Sequence, residues 1–267
     1  MMEIKDIEKV AKLCKQVHFR HKDNPKEGFF YIKKADTEVL IKKDGNDIYV
    51  AFNGTELEVF DIVPHFLRRS IDVPLFGKVH QGYFLKLMIV YYKLINTLLE
   101  LTWNTTVKCN LYVVGHSMGG ALAQLFALSM YNRTPLKRFC MSSGESSGES
   151  SGDLYERGDI KRPLECTPVF SNVQAITFGS CKPIKEIHHF ASKPIIRNFY
   201  VEEDYVGLFP YGYECCGDIY VIPKRAQIVM ERLFDKEKFD ILKVIASMFM
   251  TKRHGIDYYI EQIKKCS

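Results

Sequence analysis

A short motif, GHSMG at residues 115–119, constrains the fold of this 267-residue chain more than any other feature. It follows an aromatic and β-branched run at 111–114, which suits a strand buried on both faces of a parallel sheet. It precedes an alanine-rich stretch at 120–128 that is typical of a tightly packed helix. A serine between closely spaced glycines fits a sharp strand-to-helix turn, where bulky flanking residues would clash with neighbouring backbone. The order of strand, turn and helix therefore predicts a nucleophile elbow with Ser117 at its tip.

Ser117 on such a turn needs a general base to take its proton and a carboxylate to orient that base. In folds with this elbow, the chain order is serine, acid, histidine. Five of the eight histidines precede or adjoin the serine, which leaves His188, His189 and His254. The first two come before an acidic turn at 202–204, whereas His254 follows it. His254 is therefore the expected base.

The acidic turn at 202–204 supplies the candidate carboxylates. Asp204 lies just beyond a strand-like run, 194–201, which would project its side chain at the sheet edge from which the elbow emerges. Glu202 and Glu203 are its local rivals, although they are more typical of solvated turn charges. The residues alone favour Asp204 and leave the other two open.

Hydrophobic periodicity predicts further helices and strands on both sides of the elbow. An Asp-Gly pair within 42–46 indicates a hairpin between two β-like runs. The predicted elements are helices at 4–18, 84–101 and 239–250 and strands at 38–41, 47–52, 111–114, 173–178, 194–201 and 219–222. The length of the chain is sufficient for one large α/β domain, and no linker marks a boundary between folded halves.

One segment differs sharply in composition from the rest. Residues 142–153 repeat Ser-Ser-Gly followed by an acidic residue three times. This composition predicts a disordered surface insertion at about 141–165, within a single domain that spans residues 1–267. A phosphorylated or partner-binding segment is one interpretation, and a tolerated loop expansion is the favoured one.

Composition argues against several other classes of protein. No uncharged apolar stretch has the ~18 residues that a membrane helix needs, and the amino terminus mixes charges where a secretory signal would be apolar. The net charge of +5 is spread along the chain and does not indicate a nucleic-acid groove. The eight cysteines are expected to be reduced. The sequence therefore predicts an intracellular, cytoplasmic protein that contacts membranes only peripherally, and it does not fix the oligomeric state.

Taken together, the motifs resemble the class 3 lipase family of α/β-hydrolases, the fungal-type triacylglycerol lipases and their relatives, over roughly residues 48–263. The elbow region at 113–123 is the closest match, and the weaker matches follow the family's order. They are the strand and oxyanion turn at 49–55, the segment leading into the next helix at 79–83, the following strand at 175–180, the acid turn at 204–210 and the histidine segment at 254–259.

The resemblance implies an α/β-hydrolase fold, with a mostly parallel central sheet flanked by helices. It implies that Asp204 is the acid, because an aspartate in this family is followed at the same spacing by valine and proline, and that His254 is the base. It also implies an oxyanion hole formed by the backbone N–H of Met118 and by Thr55. Residues 56–67 occupy the position of the family's lid, and a helix that simply caps the core is an equally weighted alternative.

The chain departs from the family near the expected site. Asn53 stands where the family commonly has arginine, and the segment CKP at 181–183 replaces the usual proline-arginine pair. The separation between the serine and the acid is long because the insertion lies within it. These differences bear on substrate preference and on the oxyanion loop, and they leave the expected triad of Ser117, Asp204 and His254 intact.

The resemblance implies a serine hydrolase that cleaves carboxylic esters of lipids through an acyl-enzyme, without a metal or organic cofactor. Triacylglycerol hydrolysis is the leading expectation. Phospholipase A1-like or diacylglycerol-selective activity is the nearest alternative, because headgroup choice depends on loops that the motifs do not specify. A catalytically silent scaffold that binds a lipid or a protein is the alternative from a different class. The expected partner is a lipid ester met at a membrane or lipid-droplet surface, and not a nucleic acid.

Overall fold

A computed structural model of the chain describes residues 4–18, 28–54, 69–73, 77–103, 105, 107–132, 169–187, 194–202, 204, 207, 210, 212–222 and 254–266. The helices in these ranges are α1 (Ile4–His18), α2 (Gln81–Thr102), α3 (Met118–Asn132) and α4 (Ile256–Lys265). The strands are β1 (Phe29–Lys34), β2 (Thr37–Asp44), β3 (Asp47–Phe52), β4 (Ser70–Val73), β5 (Gly77–His80), β6 (Asn110–His116), β7 (Asn172–Phe178), β8 (Ile184–Ile187), β9 (Ile195–Val201) and β10 (Asp218–Ile222).

The centre of the fold is a seven-stranded sheet with the strand order β1-β2-β3-β6-β7-β9-β10. The first three strands pair antiparallel, and every pairing from β3 to β10 is parallel. In this register Val50 of β3 lies opposite Val113 of β6, which lies opposite Ala175 of β7. The expected mostly parallel sheet is therefore confirmed. Because its parallel strands run the same way, their carboxyl ends meet at one edge, where α/β proteins place their sites.

Helices cover both faces of this sheet, because the central strands are apolar on both sides. On β6, Leu111 and Val113 belong to the hydrophobic cluster shared with α2 and α3, whereas Val114 belongs to the cluster shared with α1 and α4. Every residue of α3 from Met118 to Met130 is buried, as expected of a helix that is apolar all round. The helix after the elbow and the C-terminal helix α4 thus pack on opposite faces of the same strands.

A smaller antiparallel sheet has the strand order β4-β5-β8. β5 ends at His80, whose side chain caps α2 by accepting a hydrogen bond from the backbone N–H of Tyr83. The backbone N–H of His80 donates to the carbonyl of Pro183 at 2.8 Å. The segment that precedes β8 is therefore held at the start of α2.

The apolar content of α2 is explained by packing. Nine of its residues are buried, while Lys86, Lys93 and Glu100 interrupt the apolar sequence with charges. Among the described residues, no helix is long and apolar enough to cross a membrane.

The helices and strands predicted within the described residues are confirmed. α1 and β3 have the predicted bounds, and the others agree with the prediction to within a few residues. The sequence did not predict β1, β4, β5, β8 or α4. The insertion at about 141–165, the lid position at 56–67 and the helix at 239–250 lie outside the described residues. The single domain over residues 1–267 stays a prediction.

Candidate active site

The turn between β6 and α3 has the strained geometry of a nucleophile elbow. Ser117 has a φ of 57°, in the left-handed region that residues other than glycine rarely adopt. A Cβ on Gly115 would lie 2.1 Å from the carbonyl oxygen of Gly119. A Cβ on Gly119 would lie 2.5 Å from the carbonyl oxygens of Phe52 and Asn53 at the end of β3. The two glycines are therefore required by the close approach of the elbow to itself and to the neighbouring strand.

Backbone hydrogen bonds hold the elbow against β7 and the segment after it. The N–H of Ser117 donates to the carbonyl of Phe178 at 3.0 Å, and the N–H of Cys181 donates to the carbonyl of Ser117 at 3.2 Å. Ser117 remains partly exposed, whereas Met118, the first residue of α3, is buried. The serine is thus fixed through its main chain and is accessible from outside.

Asp204 and His254 form a buried pair. Nδ1 of His254 lies 2.9 Å from Oδ2 and 3.1 Å from Oδ1 of Asp204, and their side chains are only 1 % (Asp204) and 4 % (His254) exposed. An imidazole whose Nδ1–H is held by a carboxylate presents Nε2 as a proton acceptor. Among the described residues, Nε2 of His254 is buried without a hydrogen-bond partner. The pair therefore has the form in which a histidine acts as a general base.

Two residues beside the elbow connect this pair with Ser117. His116, directly before the serine, lies against His254 with ring centroids 4.7 Å apart, and its Nε2 donates to the backbone carbonyl of His254. Gly179, directly after β7, has a φ of 52°. A Cβ on Gly179 would lie 2.7 Å from Oδ2 of Asp204 and 3.1 Å from Cε1 of His254. The structure thus gathers the three predicted residues around the carboxyl ends of β6 and β7.

The alternative acids and bases are less well placed or lie elsewhere in the chain. Glu202 is exposed, and its backbone N–H donates to the carbonyl of Ile222 in β10. Glu203, His188 and His189 lie outside the described residues. The geometry therefore favours Asp204 over Glu202 as the partner of the histidine.

One of the two predicted oxyanion donors can be placed. Met118 opens α3, so its backbone lies at the positive end of the helix dipole, next to the elbow serine. A developing negative charge on an ester oxygen would be stabilised at such a helix start. Thr55, the second predicted donor, lies outside the described residues.

Asn53, which replaces the family's usual arginine, has a structural role at the end of β3. Its Oδ1 accepts from the backbone N–H of Glu38 at 2.8 Å, and its Nδ2 donates to the carbonyl of Asp36 at 3.2 Å. These bonds tie the end of β3 to the turn between β1 and β2. Asn53, from which the chain continues to Thr55, is therefore held in place by hydrogen bonds.

Cys181 contacts the nucleophile, a role that the sequence did not predict. Its thiol lies close to the side chains of Tyr83 and Ser117, and burial raises the pKa of the thiol to about 11. The thiol therefore stays protonated near neutral pH and is a poor competing nucleophile. Burial also lowers the pKa of the neighbouring Lys182. The only sequence signal for this contact was the departure from the family at 181–183.

A buried polar network supports the segment after β7. Nε2 of Gln124 donates to Oγ of Ser180 at 2.8 Å, and its Oε1 accepts from the backbone N–H of Cys216 at 2.8 Å. The hydroxyl of Tyr200 donates to the carbonyl of Ser180 at 2.7 Å. Helix α3 and strand β9 therefore fix the main chain that carries Cys181. In the part of the chain that the structure describes, no three histidine, cysteine, aspartate or glutamate residues are grouped as metal ligands.

Comparison with known proteins agrees with this geometry. Residues 49–146, which include the elbow, match the family described as lipase (class 3). The Rhizomucor miehei lipase in its propeptide complex is 20% identical, with a TM-score of 0.62 over 94% of this chain and 78% of that one. Lipase II from Rhizopus niveus is 17% identical, with a TM-score of 0.61 over 88% of this chain and 87% of that one. Over residues 49–146 the chain is thus similar to the class 3 lipases.

The structural matches confirm the α/β-hydrolase fold, and the family match over residues 49–146 supports a carboxylic ester hydrolase. A triacylglycerol lipase whose catalytic centre is described as a serine protease triad is 19% identical, with a TM-score of 0.60 over 90% of this chain and 92% of that one. Because these sequence identities are 20% or lower, the structural likeness establishes the fold alone. No curated protein sequence matches the chain.

Proposed function

We propose that this protein hydrolyses carboxylic esters of acylglycerols, with Ser117 as the nucleophile, His254 as the general base and Asp204 as the acid that orients it. The observation that carries the proposal is the buried Asp204–His254 pair beside a strained elbow serine. A buried histidine with its Nδ1 held by a carboxylate is suited to taking a proton from a serine hydroxyl.

In the proposed reaction, Nε2 of His254 takes the proton of Ser117 as Oγ attacks the ester carbonyl. The imidazolium then gives this proton to the departing alcohol, and an acyl-enzyme remains. His254 next deprotonates a water molecule, which attacks the acyl group and releases the fatty acid. The negative charge of Asp204 stabilises the imidazolium in both halves of the reaction.

The oxyanion of each tetrahedral intermediate would be held by the backbone N–H of Met118 and by Thr55. Both groups act only on charge that develops during the reaction, so they would accelerate it without tightening substrate binding. Loss of one such donor typically costs about 10²- to 10³-fold in turnover.

The finer substrate choice is part of the proposal. Triacylglycerol is the preferred substrate class, and phospholipase A1-like or diacylglycerol-selective hydrolysis is the nearest alternative. We further propose that the enzyme works inside the cell and meets its substrate at a membrane or lipid-droplet surface. For residues 56–67, a lid and a helix that only caps the core remain equally weighted alternatives: a lid predicts activity that rises abruptly once substrate exceeds its solubility, and a capping helix predicts smooth saturation.

The test compares wild type, Ser117→Ala and His254→Ala on short- and long-chain p-nitrophenyl esters and on emulsified triolein, after each protein is shown to be folded. We expect activity in the wild type and its loss in both variants. Mass spectrometry of the products from mixed lipids then identifies the preferred headgroup. Full esterase activity in Ser117→Ala would contradict the mechanism.

The silent-scaffold alternative makes a different prediction for a fluorophosphonate probe. A serine hydrolase is labelled at Ser117, and the label is absent from Ser117→Ala. A folded wild-type protein that is inert on every ester and takes no label would favour the scaffold.

A further inference from the structure

Asp204 has a second buried partner besides His254. The hydroxyl of Tyr259, in α4, donates a hydrogen bond to Oδ2 of Asp204, the oxygen that lies 2.9 Å from Nδ1 of His254. The same hydroxyl oxygen accepts from the backbone N–H of Val201 at 3.2 Å. Because the backbone group can only donate, the phenolic proton is directed to the carboxylate. The Tyr259 hydroxyl therefore donates to Asp204 and accepts from Val201.

The protonation state of Tyr259 agrees with this assignment. Burial raises the pKa of Tyr259 well above its ordinary value, and the neighbouring charge of Asp204 acts in the same direction. The phenol is therefore a neutral hydrogen-bond donor near neutral pH. A charged tyrosine beside the carboxylate would be excluded by repulsion.

Packing fixes the ring of Tyr259 on several sides. It makes edge-to-face contacts with Phe178, at a centroid distance of 6.2 Å, and with His116, at 5.9 Å. A Cβ on Gly179 would lie 2.8 Å from the Tyr259 hydroxyl. The hydroxyl, the Asp204 carboxylate and the backbone of Gly179 therefore lie in direct contact, without space for the carboxylate to move towards Gly179.

We propose that Tyr259 is a positioning residue of the site: its hydroxyl holds Oδ2 of Asp204 where that oxygen accepts the Nδ1 proton of His254. Tyr259 touches neither the substrate nor the reacting atoms, and it acts on His254 only through Asp204. This inference rests on the proposed ester hydrolysis by Ser117. A buried carboxylate needs its hydrogen-bonding capacity satisfied, and a second fixed donor also restricts its orientation.

The chain offers a matched control one residue away. Tyr258 lies in the same helix and is partly buried against the same hydrophobic cluster as Tyr259. Replacing either tyrosine by phenylalanine removes one hydroxyl from α4. Only the replacement at 259 removes the hydrogen bond to Asp204.

The activity test measures kcat and KM for p-nitrophenyl butyrate in wild type, Tyr259→Phe, Tyr258→Phe and Asp204→Asn, and in the double variant Tyr259→Phe/Asp204→Asn. We expect Tyr259→Phe to lower kcat by about 10- to 100-fold, because a hydrogen bond to a charged group is lost. KM should change by less than about twofold, since substrate contacts are untouched. Tyr258→Phe should match the wild type.

The double variant separates positioning from a general structural effect. In the Asp204→Asn background there is no carboxylate to hold, so we expect Tyr259→Phe to lower kcat by less than about twofold further. Losses that multiply in the double variant would overturn the proposal. Full activity of Tyr259→Phe, with Ser117→Ala inert, would also overturn it and leave the proposed function standing.

A spectroscopic measurement gives a readout that does not depend on activity. In protein with ¹⁵N-labelled histidine, the Nδ1 proton of His254 is assigned by its loss in His254→Gln. We expect this proton signal to shift or broaden in Tyr259→Phe and to stay unchanged in Tyr258→Phe. An unchanged signal in folded Tyr259→Phe overturns the positioning role, even if Ser117→Ala proves as active as the wild type and the proposed function fails.

If Tyr259→Phe does not fold, 3-fluorotyrosine at position 259 replaces it as the test. This residue keeps the ring and both hydrogen bonds, and it makes the hydroxyl a stronger donor. We then expect a displaced His254 signal and a changed kcat in a folded protein. No change in either measurement would overturn the proposal.

Discussion

The imidazole of His116 lies against that of His254, with ring centroids 4.7 Å apart, and its Nε2 donates to the backbone carbonyl of His254. The residue before the elbow serine thus holds the main chain of the proposed base. Because the two residues are far apart in sequence, this contact directly links the elbow with the segment that precedes α4.

The contact predicts different outcomes for two substitutions of His116. His116→Phe keeps an aromatic ring but leaves a buried carbonyl without its donor, and we expect about a tenfold loss in kcat/KM. His116→Gln keeps an N–H group at the end of the side chain and should retain more activity than the phenylalanine variant. Ester hydrolysis and the melting temperature of each variant are the measurements. Equal activity in His116→Phe and wild type would show that the hydrogen bond has no part in placing His254.

The assignment of Asp204 rather than Glu202 as the acid predicts that substitutions of these two residues affect kcat very differently. Asp204→Asn removes the charge that orients His254 and stabilises its imidazolium, and we expect a loss in kcat of about 10³- to 10⁴-fold. Glu202→Gln changes an exposed carboxylate two residues away and should leave kcat unchanged. The comparison of kcat on one p-nitrophenyl ester decides between them. A large loss in Glu202→Gln with little in Asp204→Asn would reassign the acid.

Much of the central sheet could be predicted from sequence because its strands are apolar and locally recognisable. The edge strand β1 was missed since its burial is mixed along its length, so it has no clear alternation. The short strands β4, β5 and β8 were missed for another reason. β5 pairs with β8 across about a hundred residues of sequence, and local periodicity carries no information on such a pairing.

The residues of the candidate site also differ in how far the sequence could predict them. Ser117 and His254 followed from a local motif and from chain order, whereas the choice of Asp204 over two glutamates needed the family resemblance. The contacts of Tyr259 and Cys181 could not be predicted, because they arise only where α4 and the segment after β7 approach the site in three dimensions.

Gly179 provides a third prediction, with Gly45 as its control. Both glycines have a positive φ, 52° and 58° respectively. A Cβ on Gly179 would lie 2.7 Å from Oδ2 of Asp204, whereas nothing lies within 4 Å of a Cβ on Gly45. Gly45→Ala should therefore cost only the backbone strain, about 1 to 2 kcal/mol of unfolding free energy, with full activity. Gly179→Ala should displace the Asp204–His254 pair and lower kcat by at least about 100-fold. Similar activity in the two variants would show that the site tolerates the displacement.

His80 predicts part of the acid sensitivity of the fold. It is 1% exposed, and burial lowers its pKa to about 4, compared with an ordinary value of about 6.5. Between these values the unfolded chain binds a proton that the folded protein excludes. His80 therefore lowers the unfolding free energy progressively as the pH falls from about 6.5 to about 4, by roughly 3 kcal/mol in total.

The variant that isolates this contribution is His80→Asn. Asparagine can still accept the hydrogen bond that caps α2, but it does not titrate. Urea unfolding at a series of pH values should show a steeper loss of stability below about pH 6.5 in the wild type than in His80→Asn. The two curves should therefore converge, or cross, towards about pH 4, because the wild type alone loses the contribution of a neutral histidine. Parallel curves over this range would mean that His80 is protonated in the folded protein without cost, and that its burial beside Tyr83 does not disfavour the charged form.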